Sequence, residues 1–578
     1  MNIIVKHTGG SIAFDIEKNM KISDLLSEKG IFIDRPCGGK GTCGKCKVIA
    51  SGCLSEPADN EKKTLKHQLA DGYRLACEAI LEGDCTVALS DEASSQIVAT
   101  NGIAVIGFEK SFEAIMVDAL EPTLENQLSD EECLNLKMPL TLNALKKLPS
   151  ALRQSGYNPY AVVRDGKIID VGKEALPVLG LAVDIGTTTV AVYFYDLITG
   201  ERLSVKSDLN TQREFGADVI SRIEHCKNQN GINDLQNAII NLINRLVASF
   251  CSDSGFSFDS IYMMTVAANT TMLHLLCGID PNAIASSPFI PATSFGFELS
   301  GESLGLTLNP EASVYLIPSV SAYVGGDITA GIAACSLPEN CLFIDVGTNG
   351  EMAINANGRV LGCSVAAGPA FEGAHIEFGT GGIHGAISGV KYTGGNFSVE
   401  TINNSPPVGI CGSGIIDATA ALLNAEVVDM TGRLVDADEI DSSLSSRLSD
   451  DRFYICDKIA VTAQDIREIQ LAKAAICAGI ITLAKESGIS LENIEKVLVA
   501  GGFGSHMNPD SAIRIGLFPK ELDGKIEIVG NAAGMGACKA LLEKNKALFT
   551  KTAQSIEYIE LSGHQDFMDA YIDQMIFE

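Results

Sequence analysis

The sequence predicts a multidomain α/β protein with a duplicated, two-lobed unit in its C-terminal part. Three observations predict it. A strand–Asp–turn–strand segment occurs twice, about 160 residues apart. Helical segments lie between and after the copies, over 234–250 and 471–486, which makes the unit α/β. The first 90 residues form a separate pattern rich in glycine and cysteine, closed by the polar stretch 90–96. A chain of 578 residues corresponds to about three to five domains at roughly 100–200 residues each. Hydrophobic residues at 46% against 20% charged support a sizeable core and exclude global disorder.

Charge and cysteine usage narrow the function. Lys and Arg number 43 against 72 Asp and Glu, a formal net charge of -29. Such a surface repels phosphate backbones and anionic bilayers, so neither nucleic acid nor membrane is an expected partner. No apolar run reaches the ~18 residues of a spanning helix, and Met1–His7 lacks the apolar region and cleavage site of a signal peptide. The expectation is a soluble, unexported, cytoplasmic protein. An odd count of 17 cysteines argues against a disulfide framework. Most are expected to fill core space as small hydrophobes, Cys53 and Cys85 among them.

In chain order, Ile3–Val5 and Ile12–Phe14 around Gly9-Gly10 predict a hairpin. Ile22–Lys29, ending on Gly30, predicts a short helix. Residues 1–90 are read as one domain, 91–118 as a linker and 119–178 as a small α/β module. Within that module Ser129-Asp130-Glu131-Glu132 suits a helix start, Leu140–Leu152 has helical spacing, and two strands bracket Asp165-Gly166. Residues 179–578 hold the duplication. Leu181-Ala182-Val183-Asp184-Ile185-Gly186-Thr187-Thr188-Thr189 is echoed by Leu342-Phe343-Ile344-Asp345-Val346-Gly347-Thr348-Asn349-Gly350. Each copy returns as a strand and reaches a further turn, Thr199-Gly200 or Asn357-Gly358.

Cys37, Cys43 and Cys46 give C-x5-C-x2-C, with Cys77 further on. Four thiolates suit an iron–sulfur cluster or zinc. Gly38, Gly39, Gly41 and Gly44 favour the cluster, because they let backbone N–H groups approach bridging sulfides. A zinc site more often pairs two short knuckles; the residues alone leave it open. The spacing is one residue longer than the plant-type [2Fe–2S] pattern and resembles the adrenodoxin-like branch of the ferredoxin fold. Gly39–Gly44-Lys45 also mimics a phosphate-binding P-loop, but Cys46 replaces the Ser/Thr that would hold Mg²⁺.

The two Asp–x–Gly–Thr turns point to a nucleotide triphosphate. A tight turn offers backbone N–H donors to phosphates, and the Asp at the strand end offers a carboxylate near Mg²⁺. Lys496–Ala500 reads as a buried strand running into Gly501-Gly502, where bare backbone accommodates a flat adenosine. Together these segments resemble the phosphate-1, phosphate-2 and adenosine motifs of the ASKHA superfamily, which includes actin and sugar kinases. Joined to a ferredoxin-like N-terminus, the chain resembles the reductive activators of corrinoid proteins. Further segments fit that family: Asn210-Thr211-Gln212, Phe215–Ile220, Asn269–Met272, Gly325-Gly326-Asp327 and Gly409–Gly414.

The resemblance implies a β-grasp [2Fe–2S] ferredoxin, a small middle region and a duplicated actin-like ATPase. Cys37, Cys43, Cys46 and Cys77 would ligate the cluster. Asp184 and Asp345 would act on Mg²⁺, with one a candidate to orient the attacking water. Gly186, Thr187, Thr188, Gly347, Thr348, Asn349 and Gly350 would hold ATP phosphates, and Gly501 and Gly502 would lie near adenosine. The implied activity is ATP-dependent return of Co(II) to Co(I) in a partner, either a corrinoid/iron–sulfur protein or a methyltransferase corrinoid subunit. A low-potential electron donor is implied, and a homodimer is left open. The chain carries no D-x-H-x-x-G corrinoid signature of its own. The alternatives are an ATP-driven electron donor to a radical-type dehydratase and a redox-sensing binding module with a vestigial ATPase.

Overall fold

A computed structural model describes residues 1–7, 10–16, 19–29, 33, 39–42, 44, 46–89, 107–449, 451–502 and 506–577. Cys37, Cys43, Gly9, Gly30, Gly38, Lys45, Phe503, Gly504 and the stretch 90–106, which contains most of the expected linker, lie outside them. The first unit runs β1 (Asn2–His7), β2 (Gly10–Asp15), β3 (Met20–Lys21), α1 (Ile22–Glu28), β4 (Lys47–Leu54), α2 (Asp59–Leu65), β5 (Tyr73–Leu75) and β6 (Ile80–Leu89). Its sheet has the order β2-β1-β6-β4-β5, with β3 on β6. The β1–β6 pair is parallel, and Ile22, Leu25 and Leu26 of α1 pack on Ile3, Val5, Val48 and Val87. This is the β-grasp arrangement. The residues after Gly44 enter strand β4 rather than a helix, which removes the P-loop reading.

Cysteine placement follows the expectation with one correction. Cys85, Cys133, Cys226, Cys251, Cys341, Cys363, Cys477 and Cys538 are buried, but Cys53 is exposed. The register of β4 against β6 shifts between Gly52 and Leu54. That bulge re-aims the side chain, and Cys85 bonds the Cys53 carbonyl instead, at 2.9 Å.

The middle module comprises β7 (Phe112–Met116), α3 (Asp130–Cys133), α4 (Leu142–Gln154), β8 (Tyr160–Arg164) and β9 (Lys167–Gly172). Ser129 caps α3 in a capping box with Glu132. Residues 107–118, expected as linker, belong to this module. β7 pairs with β8, and the Glu109 N–H donates to the Leu542 carbonyl at 2.9 Å. Only Phe112 of β7 is fully buried, so this edge strand shows no clear alternation in sequence. Buried Asp170 of β9 fastens the module to the next one: it accepts from Lys147 Nζ at 2.8 Å, Tyr262 OH at 3.0 Å and Asn309 Nδ2 at 3.2 Å.

The first lobe contains β10 (Leu179–Ile185), β11 (Thr189–Asp196), β12 (Arg202–Leu209), α5 (Val219–His225), α6 (Gln229–Ser254), β13 (Ile261–Ala268), α7 (Thr270–Cys277), β14 (Glu298–Ser300), β15 (Ser313–Leu316) and α8 (Gly326–Cys335). The second begins with β16 (Cys341–Val346), β17 (Gly350–Ala356) and β18 (Arg359–Val365). A small sheet follows, β19 (Ala386–Thr393), β20 (Asn396–Thr401) and β21 (Gly409–Ile410), under α9 (Gly412–Asn424). Then come β22 (Leu448–Ser449), β23 (Arg452–Cys456), β24 (Ile459–Thr462), α10 (Ala463–Ser487), β25 (Lys496–Ala500), α11 (Pro509–Arg514), β26 (Ile526–Gly530), α12 (Ala532–Leu542), α13 (Ala547–Ser555), β27 (Ile556–Tyr558) and α14 (Gln565–Asp573).

The two large sheets run β12-β11-β10-β13-β15-β14 and β26-β25-β16-β17-β18-β27. In each, three antiparallel strands continue into parallel ones, so the duplication extends from the turns to whole sheets. Helices cross between the lobes. From the second half of the chain, α12 packs Met535, Cys538 and Leu541 with Ala182, Tyr193 and Met263 of the first sheet. From the first half, α8 packs Ile328 and Ile332 with Phe343, Leu498 and Val529 of the second.

Candidate functional site

The duplicated turns face each other across a cavity of about 1200 Å³, above the roughly 300–1,000 Å³ of ordinary ligand pockets. Asp184 and Asp345 stand next to the last residues of the central strands β10 and β16. Gly186, Thr187, Thr188, Gly347, Thr348, Asn349, Gly501 and Gly502 all line the same cavity. Gly350 does not. The first turn closes with Ile185 opposite Val190 and the Gly186 N–H on the Thr189 carbonyl; the second closes with Val346 opposite Gly350 and the Gly347 N–H on the Asn349 carbonyl. The second turn is one residue shorter, so Gly350 enters the strand. A Cβ there would stand 3.0 Å from Val365 Cγ2 and 3.1 Å from Ile476 Cγ1. Gly350 thus packs at the start of β17, outside the lining of the cavity.

A layer of polar residues holds the first turn from behind. Asn210 donates to the Gly186 carbonyl at 2.8 Å, and Asn269 to Thr187 Oγ1 at 3.3 Å. The fully buried Arg222 donates to the carbonyls of Thr187 and Gly216. Asn210 and Asn269 are also N-caps, of the short turn 211–214 and of α7, so the same short polar side chains start these elements and fix the turn. On the other side, Gly501 has φ of +100°, and a Cβ would meet the Val346 carbonyl at 2.5 Å and Asp345 Oδ1 at 2.7 Å. No larger residue fits without displacing the Asp345 carboxylate. The Gly409–Gly414 segment supplies Cys411, Gly412 and Ser413 to the far wall.

Carboxylates dominate the electrostatics. Burial pushes Asp184 up to about 7, with the Asp327 charge adding and a hydrogen bond from Asn531 Nδ2 at 2.7 Å opposing. Burial, then Asp327 and Asp184, push Asp345 to about 7. Burial raises Asp327 to about 6. Glu351, opposite Asp345 on β17, is raised well above the usual carboxylate range by burial and by Asp327 and Asp345. Recessed acids that raise one another's pKa favour a cation among them, and an all-oxygen donor set suits Mg²⁺. The residues present therefore fit that ion.

The turn-bound glycines and the two acids were legible as motifs. Glu351, Glu372 and Asn531 were not, since each stands singly. The one signal for Glu351 is a charge directly after the turn, where the first copy has Val190.

At the N-terminal unit, Cys46 and Cys77 bring their sulfurs within 3.3 Å in a buried position. Gly39, Gly41 and Gly44 have φ of +77°, +71° and +70°, the conformation that lets a loop turn its N–H groups inward. Two converging thiols, Cys46 at the end of this loop and Cys77 beside it, fit a [2Fe–2S] cluster. Cys37 and Cys43 lie outside the described residues.

Fold and sites together define a ferredoxin domain fused to an actin-like ASKHA unit. The family described as the 2Fe-2S iron-sulfur cluster binding domain matches residues 5–82. The RACo middle region matches 179–340, and the C-terminal domain of RACo, the ASKHA domain, matches 339–578. The corrinoid activation enzyme RamQ of Eubacterium limosum is 30% identical over 589 residues, covering 97% of each chain. A Co(II) methylated amine-specific corrinoid protein reductase of Methanosarcina barkeri is 24% identical over 64% of this chain and 70% of its own. A solved structure titled reductive activator for corrinoid, iron–sulfur protein superimposes with a TM-score of 0.73 at 33% identity, covering 100% of this chain and 98% of that one. The chain belongs to the RACo family of reductive activators of corrinoid proteins. Among the described residues, no helix is long and apolar enough to cross a membrane.

Proposed function

We propose that this chain is a cytoplasmic, ATP-dependent reductive activator. It takes one electron from a low-potential donor and delivers it to a partner corrinoid protein, converting inactive Co(II) to Co(I). The observation that carries the reading is the union, in one chain, of a cluster-type cysteine loop with a cleft in which two Asp–Gly–Thr turns face each other beside Asp184, Asp327 and Asp345. A full-length relative named for corrinoid activation supports the partner class.

Cys37, Cys43, Cys46 and Cys77 are the proposed cluster ligands; a [2Fe–2S] group held there supplies one-electron transfer. Asp184, Asp327 and Asp345 would hold Mg²⁺. Gly186, Thr187, Thr188, Gly347, Thr348 and Asn349 hold phosphates, and Gly501 and Gly502 flank adenosine. The proposed division is a ferredoxin domain over 1–90, a middle module from about 107 to 178 and a two-lobed ATPase over 179–578.

Energetics give the ATPase its purpose. Plant-type ferredoxin potentials lie near roughly -400 mV, and the family resemblance puts the corrinoid Co(II)/Co(I) couple lower. Each ~59 mV uphill costs a factor of ten in a one-electron equilibrium. Nucleotide-driven closure of the lobes is the available source of bias, because it changes what the docked partner touches. The test is the Co(II) EPR signal of a corrinoid protein mixed with this chain, reductant and Mg-ATP. It should vanish only when ATP is present. A signal that persists with every corrinoid protein of the same cell, alongside ATP-dependent activation of a dehydratase, overturns the reading.

A further inference from the structure

One carboxylate joins the two phosphate turns. Glu372 ends the short turn Pro369–Glu372, which follows β18. Its Oε2 accepts from Thr188 Oγ1 at 2.8 Å, and its Oε1 accepts from Thr348 Oγ1 at 3.0 Å. Thr188 belongs to the first lobe, Thr348 and Glu372 to the second, so the pair of bonds spans the cleft. The same Oε1 lies 3.8 Å from where a Cβ on Gly347 would stand, against the backbone of the second turn.

These partners are the donors a polyphosphate would need. A carboxylate and a phosphate both accept from hydroxyls, and two anions cannot share one pair of donors without like-charge contact. Asp184, Asp327 and Asp345 line the same cavity, so Glu372 is one more acid in a site that a polyphosphate must enter. The turn itself is held: Phe371, directly before Glu372, is buried in the core of the second lobe, and a Cβ on Gly373 would meet the Thr380 carbonyl at 2.4 Å. Glu372 lines the cavity, so it is the side chain that withdraws.

We infer that Glu372 is a positioning residue that latches the empty cleft: it holds the hydroxyls of Thr188 and Thr348 across the lobes and yields both to nucleotide phosphates. The Glu372 bridge and occupancy by nucleotide are thereby made to compete for the same two hydroxyls. This rests on the nucleotide reading of the cleft.

The test compares full-length parent, Glu372→Ala and Glu372→Gln in two measurements. The first is amide hydrogen exchange without nucleotide. Glu372→Ala should raise exchange over 186–190 and 347–350 and leave strand β4 unchanged. The second is the Kd for Mg-ATP. Removing the competing anion should tighten it about tenfold, or ~1.4 kcal/mol. Glu372→Gln, similar in size but uncharged, should fall between and serves as the folded comparison if the alanine variant is unstable. Unchanged exchange at both turns, or Mg-ATP affinity equal to or weaker than the parent's in both variants, overturns the latch while leaving the ATPase reading in place. A parent that binds no Mg-ATP overturns that reading, and the latch with it.

Discussion

At the scale of single residues, the cysteines and the strand-end aspartates carry separable predictions. Cys77 sits beside Cys46 in a buried pair, and serine offers a harder, poorer ligand than thiolate. The parent should be red-brown with about two irons per chain, the stoichiometry of a plant-type cluster, and Cys77→Ser should abolish or strongly perturb both. Cys53→Ser should leave both intact, because Cys53 points outward beyond the bulge of β4. A colourless protein with one zinc would exclude the cluster. Asp345 lies in the other module, and sites without shared partners act almost independently. Asp345→Ala should eliminate ATP hydrolysis with the cluster spectrum unchanged; parental turnover would refute its role. These residues were readable because spacing and repetition set them apart. Glu372 was not, since its significance lies in two hydrogen bonds to residues 184 and 24 positions away.

At the scale of elements, the sequence announced the strands and turns of both copies, but not what each half does for the other. The helix Ala532–Leu542 is not among the segments read from the sequence, and the fold places it on the sheet of the opposite half. The edge strand Phe112–Met116 is missed as well, since one buried residue does not make a period. The crossing of α8 and α12 is close enough to test. A Cβ on Gly536 would fall 2.2 Å from the Ala330 carbonyl, and Gly331 meets the Phe343 ring in the same way. Gly536→Val must push the helices apart, at about 1–3 kcal/mol of overpacking. The N-cap of α12 is Asn531, whose Nδ2 reaches Asp184. The variant should therefore lose thermal stability and also bind Mg-ATP more weakly. A lowered Tm with unchanged nucleotide affinity would show that the helix crossing does not position the cleft.

At the scale of the whole molecule, the two modules have a use only together. A ferredoxin alone equilibrates an electron and cannot drive it uphill; an ATPase alone has no electron to give. Full-length protein with a low-potential donor and Mg-ATP should convert a partner's Co(II) to Co(I). Omitting ATP, or substituting Asp184→Ala, should leave most cobalt as Co(II). Residues 97–578 should still bind Mg-ATP, because the cleft is built entirely from residues of the two lobes, yet should reduce nothing. With a net charge of -29, long-range attraction to an acidic partner is not available, and docking on such a partner rests on local contacts that salt screens weakly. Raising the ionic strength should then leave ATP-dependent reduction largely intact. Reduction to the same extent without ATP would make the protein an ordinary electron carrier. Reduction by the truncated chain would place the electron path outside the ferredoxin domain altogether.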